Sequence, residues 1–495
     1  MMSLPWVLVI VLLFWYRFRS YFRCMLERRS GRLPPGPWAW PLFGTILTID
    51  RRHPQKTLRK WAATYGTIFS FYLGERFCVA ASDMPTIRRL MKDKRFENRC
   101  HAGMIMHLDG QFDKSIIMGN GEIWREHRRF SMAALRDFGF SKAGGEEQVQ
   151  NEAALLVAEF QGHQGRSFDP KISIATSVAN VISYMLFSDG FDCSDPRFRQ
   201  YEETVAANIA ELSSGTPLEI FPWLRFIHPF SVQFNRIQRR FKYCQRPMMD
   251  LIQEHKKSFD PNSPRDYVDA FLCVQEGRRR TEDSVGTYTD EQLMRNLGDL
   301  YVAGFETTTT FLRWALIYLI LHPRVQAKLQ GEIDVVIGSS RAPTMTDKAP
   351  MVYTEAVILE VFRLSDFLPF LIPHCATEDV QIDGYVIPEG TEIWPLVTYH
   401  YCNAKVWGDP QVFRPERFLD DKDQLLQSLA DEIQPYSTGR RACLGEPLAK
   451  MEVFILLTTI LQHFTISSQT TPDTEHLPAF ILAPPSFEII ATPRT

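Results

Sequence analysis

The feature that most constrains the fold is a long, mostly apolar segment beyond the middle of the 495-residue chain. A capping-box pattern at Thr289 and Gln292 predicts where this helix begins, and His322-Pro323 predicts where it ends. The segment holds about 32 residues, or roughly 48 Å at the standard rise per residue. A helix this long with an apolar middle has to run through the core of a large domain.

Within this helix, the stretch AGFETTTT, from Ala303 to Thr310, conflicts with the local rules of helix formation. Threonine is a weak helix former, and its hydroxyl competes for the backbone carbonyl one turn back. A buried glutamate without a partner is costly. Such a conflict in an otherwise consistent helix indicates a functional site.

The remaining sequence predicts mainly helical structure with two regions of short strands. Strand-like runs and turn signals occur between about residues 38 and 80 and again after Asp379, whereas helical periodicity dominates from about Met84 to Val335. Neither an internal repeat nor an internal linker is visible. We therefore predict an α+β fold, mainly α with small β-sheets, in a single large domain over residues 38–495.

The N-terminus predicts a membrane anchor. The apolar run from Leu4 to Tyr16 is shorter than the roughly 20 residues that span a bilayer unaided, but aromatic and arginine residues can extend it. No small-residue cleavage site follows, so we predict an uncleaved anchor over residues 1–22, then a basic and proline-rich linker over residues 23–37. Arginines after the run favour a cytosolic location for the rest. A cleaved secretory signal is the alternative.

Composition excludes some classes of protein. The formal net charge of -3 argues against bulk electrostatic binding of nucleic acid. The nine cysteines form no CxxC pairs, which argues against a disulfide framework and favours a reducing compartment.

The most specific stretch is YSTGRRACLG, which starts at Tyr436 and precedes a strongly helical segment. Cys443 lies just before the predicted helix N-terminus, with Arg440 and Arg441 beside it. The helix dipole and the guanidinium charges both favour thiolate over thiol. Two glycines also allow the backbone to approach something bulky and planar: Gly439 and Gly445. From these residues alone, the thiolate could be a nucleophile, a metal ligand or an inert buried cysteine.

This stretch resembles the haem-binding signature of the cytochrome P450 superfamily, aromatic-x-x-G-x-R-x-C-x-G. The resemblance implies that Cys443 is the axial thiolate ligand of haem b and that Arg441 contacts a haem propionate. Tyr436 stands where phenylalanine is usual in the family, but it keeps the aromatic ring.

Further motifs match the superfamily in order and spacing. Glu360 and Arg363 form E-x-x-R, and Arg417 lies in P-E-R-F; in the family these three side chains join a buried structural network. The resemblance also implies propionate contacts for four more residues: Arg99, Trp124, Arg128 and His374.

The stretch AGFET resembles the family motif A/G-G-x-D/E-T. By that match, Thr307 donates a hydrogen bond during oxygen activation, and Glu306 helps to relay protons from solvent. Phe305 is expected to project towards the substrate and to restrict its shape.

The implied activity is that of a membrane-anchored monooxygenase in the endoplasmic reticulum. It inserts one atom of O2 into a lipophilic substrate. Electrons would come from NADPH through a separate reductase, because the chain contains no dinucleotide or flavin motif, with cytochrome b5 as a second candidate partner. Reductase docking is expected on a basic face with three candidate residues: Arg125, Arg129 and Lys450.

Substrate contacts are expected from five mostly apolar segments: Cys100 to Gly119, Val205 to Ser213, Asp299 to Thr307, Phe367 to Ile372 and Ala479 to Ser486. The individual candidates are Ala303, Phe305, Leu368, Phe370 and Leu482. These residues suit a hydrophobic ligand without naming it.

The chain looks most like an arthropod member of the microsomal clan. The leading specific prediction is therefore epoxidation of farnesoic acid or methyl farnesoate in juvenile hormone biosynthesis. Ecdysteroid-type steroid hydroxylation and broad xenobiotic oxidation are alternatives. More distant alternatives are an O2-independent haem-thiolate isomerase or dehydratase and a haem-based gas sensor, neither of which predicts NADPH-dependent oxygen uptake.

Overall fold

The structure is a computed structural model that describes residues 26–100, 103–108, 112–140, 143–188, 196–213, 216–282, 284–477 and 480–494. The predicted anchor, residues 1–22, lies outside these ranges. In the described ranges, no helix is both long and apolar enough to cross a membrane.

Helices make up most of the described structure. Their bounds are α1 (Pro54–Tyr65), α2 (Met84–Lys92), α3 (Gly121–Leu135), α4 (Ala143–Gly162), α5 (Lys171–Phe187), α6 (Pro196–Ser213), α7 (Pro217–Ile220), α8 (Phe230–Ser258), α9 (Tyr267–Glu282), α10 (Asp290–Leu321), α11 (Pro323–Val336), α12 (Val352–Ser365), α13 (Val397–Tyr401), α14 (Ala404–Trp407), α15 (Gln427–Ala430) and α16 (Glu446–His463). The predicted fold class, mainly helical with small sheets, is confirmed.

The strands form small sheets, and all of the strands described except β3 lie in or next to the two regions where the sequence predicts them. Their bounds are β1 (Ile68–Leu73), β2 (Arg76–Ala81), β3 (His374–Cys375), β4 (Val380–Ile382), β5 (Tyr385–Ile387), β6 (Glu392–Pro395), β7 (Phe464–Ser467) and β8 (Ile490–Pro493). One sheet has the order β1-β2-β6-β3, and β4-β5 and β7-β8 are two-stranded antiparallel pairs. In the larger sheet, β2 and β6 run parallel, while β1-β2 and β3-β6 are antiparallel.

The chain divides into two compact units. Unit 1 comprises Met1–His101, Pro369–His400 and Ser437–Ala442, and it contains the larger sheet. Unit 2 comprises Ala102–Leu368, Tyr401–Tyr436 and Cys443–Thr495, and it contains the long central helix. The predicted domain boundaries at residues 22 and 37 stay predictions.

The proline-rich segment Leu33 to Pro37 is packed against β1 in unit 1. The backbone amide of Ser70 donates to the Pro35 carbonyl (2.7 Å), and the Ser70 hydroxyl donates to the Pro34 carbonyl (2.6 Å). A side chain on Gly36 would overlap the Ser70 carbonyl oxygen, because an added Cβ would lie 1.8 Å from it. The segment is therefore part of the folded body and does more than separate an anchor from it.

The central helix of unit 2, α10, begins and ends where the sequence predicts. Thr289 caps it, since its hydroxyl accepts a hydrogen bond from the Gln292 amide (3.2 Å). The predicted reciprocal bond is replaced, because the Gln292 side-chain amide donates to Lys114 O and Asn296 Oδ1. Helices α5, α8 and α16 pack against α10. Its buried residues lie mainly over 292–297 and 308–319, whereas most of the residues between these two stretches keep some exposed surface, so the prediction of a buried middle is wrong there.

Candidate active site

Cys443 lies at the end of a loop that is closed by its own backbone. The Cys443 amide donates to the Tyr436 carbonyl (2.8 Å), and α16 begins three residues later with Gly445 as its N-cap. The cysteine is exposed and forms no disulfide. This position leaves the sulfur available to a ligand while its backbone is fixed at both ends.

Opposing effects act on the pKa of the Cys443 thiol. Burial by the surrounding protein raises it most, and the charge of Glu446 raises it further, whereas the backbone amides of Gly445 and Glu446 and the charge of Arg128 lower it. The net direction is upward. The helix N-terminus therefore acts as predicted but does not by itself produce a thiolate, which a bound metal cation would do.

The predicted influence of Arg440 and Arg441 on Cys443 stays a prediction. In unit 1, Arg440 forms an ion pair with Glu97 (Nη1 to Oε2, 3.0 Å), and Arg441 Nε donates to the Glu97 carbonyl (2.8 Å). The guanidinium group that lowers the pKa of Cys443 belongs to Arg128, which is distant in sequence.

Helix α3 in unit 2 carries Trp124 and Arg128, one turn apart. The Arg128 guanidinium lies 5.8 Å from the centre of the Trp124 ring, and burial lowers its pKa. The Trp124 indole N–H donates to the Ile116 carbonyl (3.0 Å). The predicted propionate contact of Trp124 would therefore need this N–H to be shared or redirected, whereas Arg128 has several N–H groups to offer.

Three of the predicted propionate contacts come together in unit 1. Arg99 Nη1 donates to the carbonyls of Ile372 (2.7 Å) and Pro373 (3.1 Å). His374 Nδ1 lies 2.5 Å from the Phe96 carbonyl, and because a carbonyl only accepts, this nitrogen carries a proton. These three residues, Arg99, His374 and Arg441, are all buried.

The electrostatics of this cluster favour an anion. Burial lowers the pKa of His374 most, and the positive charges of Arg99 and then Arg441 lower it further, against the effect of the Phe96 carbonyl. The hydrogen bonds of Arg99 and Arg441 described above go to main-chain carbonyls. An anionic group such as a carboxylate would complement the cluster and would favour protonated His374.

Gly439 and Gly445 of the cysteine loop differ in how closely other atoms approach them. Gly439 has φ of +81°, and an added Cβ would lie 2.0 Å from the Met91 carbonyl oxygen, so both conformation and space require glycine. At Gly445 the nearest atom to an added Cβ is the Cys443 sulfur, at 3.9 Å. The close approach predicted at Gly439 is therefore to the C-terminal end of α2.

The face of α10 that carries Ala303 and Thr307 is accessible, although most of this helix is buried. Ala303 is exposed and Thr307 is partly exposed. The Thr307 hydroxyl donates to the Ala303 carbonyl one turn back (2.8 Å). Phe305 has no exposed surface and packs on Tyr301 with 5.4 Å between ring centres, which argues against the predicted contact of Phe305 with a substrate.

Glu306 has a set of charged neighbours that the sequence does not reveal. Burial raises its pKa, the negative charge of Glu202 raises it further, and Lys171 and Arg313 lower it. Glu202 is itself buried and pairs with Lys171 (2.8 Å). A carboxyl with a raised pKa is suited to taking up and releasing a proton near neutral pH.

Two of the remaining threonines have distinct environments. The Thr308 hydroxyl donates to Glu452 Oε2 on α16 (3.2 Å), and burial raises the pKa of Glu452 well above its usual value. The Thr309 hydroxyl is buried without a hydrogen-bond partner in the described part of the chain. The threonine run therefore combines a site residue, an interhelical contact and a packed residue.

The other substrate candidates differ in accessibility. Leu368 is partly exposed, but Leu482 is buried, with its amide donating to the Phe367 carbonyl (2.8 Å). In unit 1, Phe370 is buried with its ring centre 5.2 Å from that of Trp394. A side chain with little accessible surface cannot contact a ligand without rearrangement, so Ala303 and Leu368 are the better placed candidates.

The predicted structural network is present in unit 2. Glu360 accepts from Arg363 Nε (2.7 Å) and Nη2 (2.9 Å) and from Arg417 Nε (3.0 Å). All three side chains are buried, and each guanidinium also donates to main-chain carbonyls, including those of Tyr401 and Trp407. The network therefore holds α12 against the segment that contains P-E-R-F.

The docking candidates have unequal surroundings. Arg125 and Arg129 are exposed on α3. Lys450 pairs with Glu446 (2.7 Å) and lies 5.6 Å from the centre of the Tyr436 ring, so part of its charge is already compensated.

His127, between Trp124 and Arg128 in sequence, is a buried histidine with a testable pH effect. Its ring lies 4.8 Å from that of Tyr288 and 5.8 Å from that of Phe271, and burial lowers its pKa from 6.5 to about 4. Below pH 6.5 the unfolded chain binds a proton that the folded chain excludes, so stability falls as pH falls towards 4. Because of His127, we expect the free energy of unfolding to be about 2 kcal/mol lower at pH 5 than at pH 7.

His127→Phe preserves the aromatic packing and should flatten this pH dependence, as measured by unfolding in urea at the two pH values. His163→Phe, at a partly exposed histidine, serves as the control and should leave the wild-type dependence in place. An equal loss of stability in wild type and His127→Phe would contradict the role of burial.

Comparisons with known proteins identify the family of the chain. The family described as Cytochrome P450 matches residues 34–491. The chain is 35% identical over 479 residues to cytochrome P450 2E1 of Oryctolagus cuniculus, with 94% of each chain covered. It is 36% identical over 477 residues to cytochrome P450 2C28 of Mesocricetus auratus, with 94% of this chain and 95% of the relative covered.

The fold and the cysteine loop are those of a haem-thiolate enzyme, and the chain belongs to the cytochrome P450 family. The protein is therefore a monooxygenase that uses haem b with a cysteine thiolate ligand and takes electrons from NADPH through a reductase. In unit 2, the residues present fit this cofactor, because Cys443 offers an accessible sulfur.

Proposed function

We propose that Cys443 is the axial ligand and that two groups of residues hold the haem propionates: Trp124 and Arg128 in unit 2, and Arg99, His374 and Arg441 in unit 1. The observation that carries the proposal is the exposed Cys443 sulfur, which accepts hydrogen bonds from two backbone amides at the N-terminus of α16. Amide bonds to the sulfur stabilise a thiolate without competing for the position of the metal.

When bound, the haem supplies the activation of O2. The Thr307 hydroxyl donates to the Ala303 carbonyl and would turn from it to donate a hydrogen bond within the haem site. Glu306 would move protons through its carboxyl, whose pKa is raised by burial and by Glu202. Ala303, the exposed residue one turn before Thr307, presents a small apolar surface to the substrate.

The substrate class that these residues favour is lipophilic, and the proposed location is the endoplasmic reticulum membrane, with cytochrome b5 as a second electron donor. Farnesoic acid and methyl farnesoate remain the leading specific substrates, and epoxidation the leading reaction. This finer assignment rests on sequence resemblance alone, because the relatives above are mammalian and their names carry no isoprenoid. Steroid hydroxylation and broad xenobiotic oxidation are the competing assignments.

A substrate panel tests the proposal. The reconstituted enzyme, with reductase and NADPH, is incubated with farnesoic acid, methyl farnesoate, ecdysteroid precursors, fatty acids and drug-like xenobiotics, and products are identified by mass. We expect a farnesoate product with one added oxygen and NADPH-dependent oxygen uptake. If farnesoates return unmodified while a steroid or xenobiotic is oxidised, the specific assignment is wrong.

In the same assay, Thr307→Ala should keep haem and substrate binding but divert electrons to peroxide. Loss of the hydroxyl removes a hydrogen-bond donor during oxygen activation, and product per NADPH should fall about 10-fold or more, the scale of losing one such donor. Thr307→Ser retains the hydroxyl and should stay close to wild type. Normal coupling in Thr307→Ala would reject the role of this residue.

A further inference from the structure

Two cysteines of unit 1 lie side by side, away from the thiolate loop. Cys375 is on β3, and its amide donates to the Asn98 carbonyl (2.6 Å), which pairs the two residues in an antiparallel bridge. Cys100 follows Asn98 by two residues, and its sulfur lies 3.5 Å from the His374 carbonyl, directly before Cys375. The two chain segments are therefore already paired at the position of the thiols.

The two thiols also affect each other's pKa. The Cys100 thiol donates to the His374 carbonyl (3.5 Å) and the Cys375 thiol donates to the Ala376 carbonyl (3.7 Å). The interaction between the two side chains lowers the pKa of Cys375 and raises that of Cys100. Burial and the negative charges of Glu392 and Glu389 raise the pKa of Cys375. The pKa of Cys375 is nevertheless lowered on balance. Cys375 is therefore the more nucleophilic of the pair, and Cys100 is its neighbouring thiol.

Accessibility distinguishes this pair from a third cysteine nearby. Cys100 and Cys375 are both partly exposed. Cys78 is fully buried, its sulfur lies 3.7 Å from Glu392 Oε2, and burial raises its pKa. A small oxidant can therefore reach the pair, whereas Cys78 is an unreactive thiol close by.

We propose that Cys100 and Cys375 form a peroxide-sensitive thiol pair that closes reversibly to a disulfide. The Cys375 thiolate attacks one oxygen of hydrogen peroxide, the O–O bond breaks, and the products are a sulfenic acid and hydroxide, which takes a proton to become water. The Cys100 thiol then attacks the Cys375 sulfur, the S–O bond breaks, and a second water leaves. In total, two thiols and one peroxide give one disulfide and two waters.

The disulfide between Cys100 and Cys375 would lie next to two residues of the cationic cluster. Arg99 precedes Cys100 and His374 precedes Cys375, so the bond joins two segments that supply two residues of the cationic cluster. Closing it requires the sulfurs to approach to about 2 Å. The antiparallel bridge pairs Cys375 with Asn98, so Cys100, two residues further along, has to move towards Cys375 as the bond forms. A thiol reductant reverses the reaction.

The test uses the purified full-length holoenzyme, reduced, desalted and titrated with hydrogen peroxide without substrate or NADPH. Free thiols are then alkylated, and the digest is mapped by mass spectrometry without reduction. We expect a cross-linked peptide pair containing Cys100 and Cys375 that dithiothreitol removes, while Cys78 stays reduced. Absence of this pair after peroxide treatment, with both thiols still alkylated, would overturn the proposal.

Two variants assign the order of the steps. In Cys100→Ser, a dimedone-type probe should label Cys375, because the sulfenic acid has no partner thiol. In Cys375→Ser, Cys100 should stay unlabelled. Cys273→Ser, at a partly exposed cysteine on α9, should form the same cross-link as wild type. Labelling of Cys100 in Cys375→Ser, without labelling of Cys375 in Cys100→Ser, would contradict the assignment of the attacking thiol.

Discussion

Cys443→Ala is expected to abolish monooxygenase activity and the thiolate-ligated haem spectrum. Alanine removes the sulfur, and the loop contains no second cysteine that could supply a thiolate. The loop itself should persist, because the Cys443 amide, which alanine retains, makes the bond to the Tyr436 carbonyl. The measurements are the carbon monoxide spectrum of the reduced protein, haem content and product formation.

Cys273→Ala provides the matched control, since it removes a partly exposed sulfur outside the loop and should leave the spectrum unchanged. A normal thiolate spectrum in Cys443→Ala would mean that another cysteine ligates the iron. Circular dichroism of the variant separates loss of ligation from loss of fold.

Glu360→Ala is expected to have the largest effect on stability. The change leaves Arg363 and Arg417 buried without the carboxylate that both contact, and also removes the acceptor of the Arg414 amide. Removing one partner of a buried charged pair costs about 3–5 kcal/mol, which is comparable with a large part of the stability of a domain. The folded fraction and the urea midpoint should both fall sharply.

Arg280→Ala is the control for this experiment. Arg280 pairs with Glu276 on the surface of α9, where both side chains are exposed, and such pairs contribute at most about 1 kcal/mol. Equal losses in the two variants would mean that the Glu360 network is not a special source of stability.

The parts of the fold that the sequence predicted correctly are those set by local pattern. The capping residue, the apolar middle and the terminal proline define α10 because each acts within a few residues. The Glu360 network was predictable only through family resemblance, since an i,i+3 pair alone does not distinguish a buried network from an exposed one.

The features of the site that the sequence could not predict depend on residues that folding brings together. Arg128 is far from Cys443 in sequence, yet its charge lowers the pKa of the cysteine, while the adjacent Arg440 and Arg441 bond to Glu97. Glu202 likewise affects Glu306 from another helix. A linear motif contains the candidate residues but not the charges that folding places around them.

The direction of Phe305 illustrates a second limit. Its neighbours Glu306 and Thr307 carry the motif, but helical geometry turns consecutive side chains by about 100°. Phe305 therefore packs on Tyr301, while Ala303 and Thr307, four residues apart, share the accessible face. The position of Phe305 within the motif led to the prediction that it contacts the substrate. It did not predict the direction in which the Phe305 side chain points.

The packing of Leu33 to Pro37 on β1 sets a boundary for protein engineering. Soluble versions of anchored enzymes are made by deleting the N-terminal apolar run, and residue 38 would look like a natural cut site from sequence. A cut there would strip Ser70 of both carbonyl acceptors and remove the buried Leu33. Expression designs should therefore cut upstream of Leu33, so that the first strand keeps its covering segment.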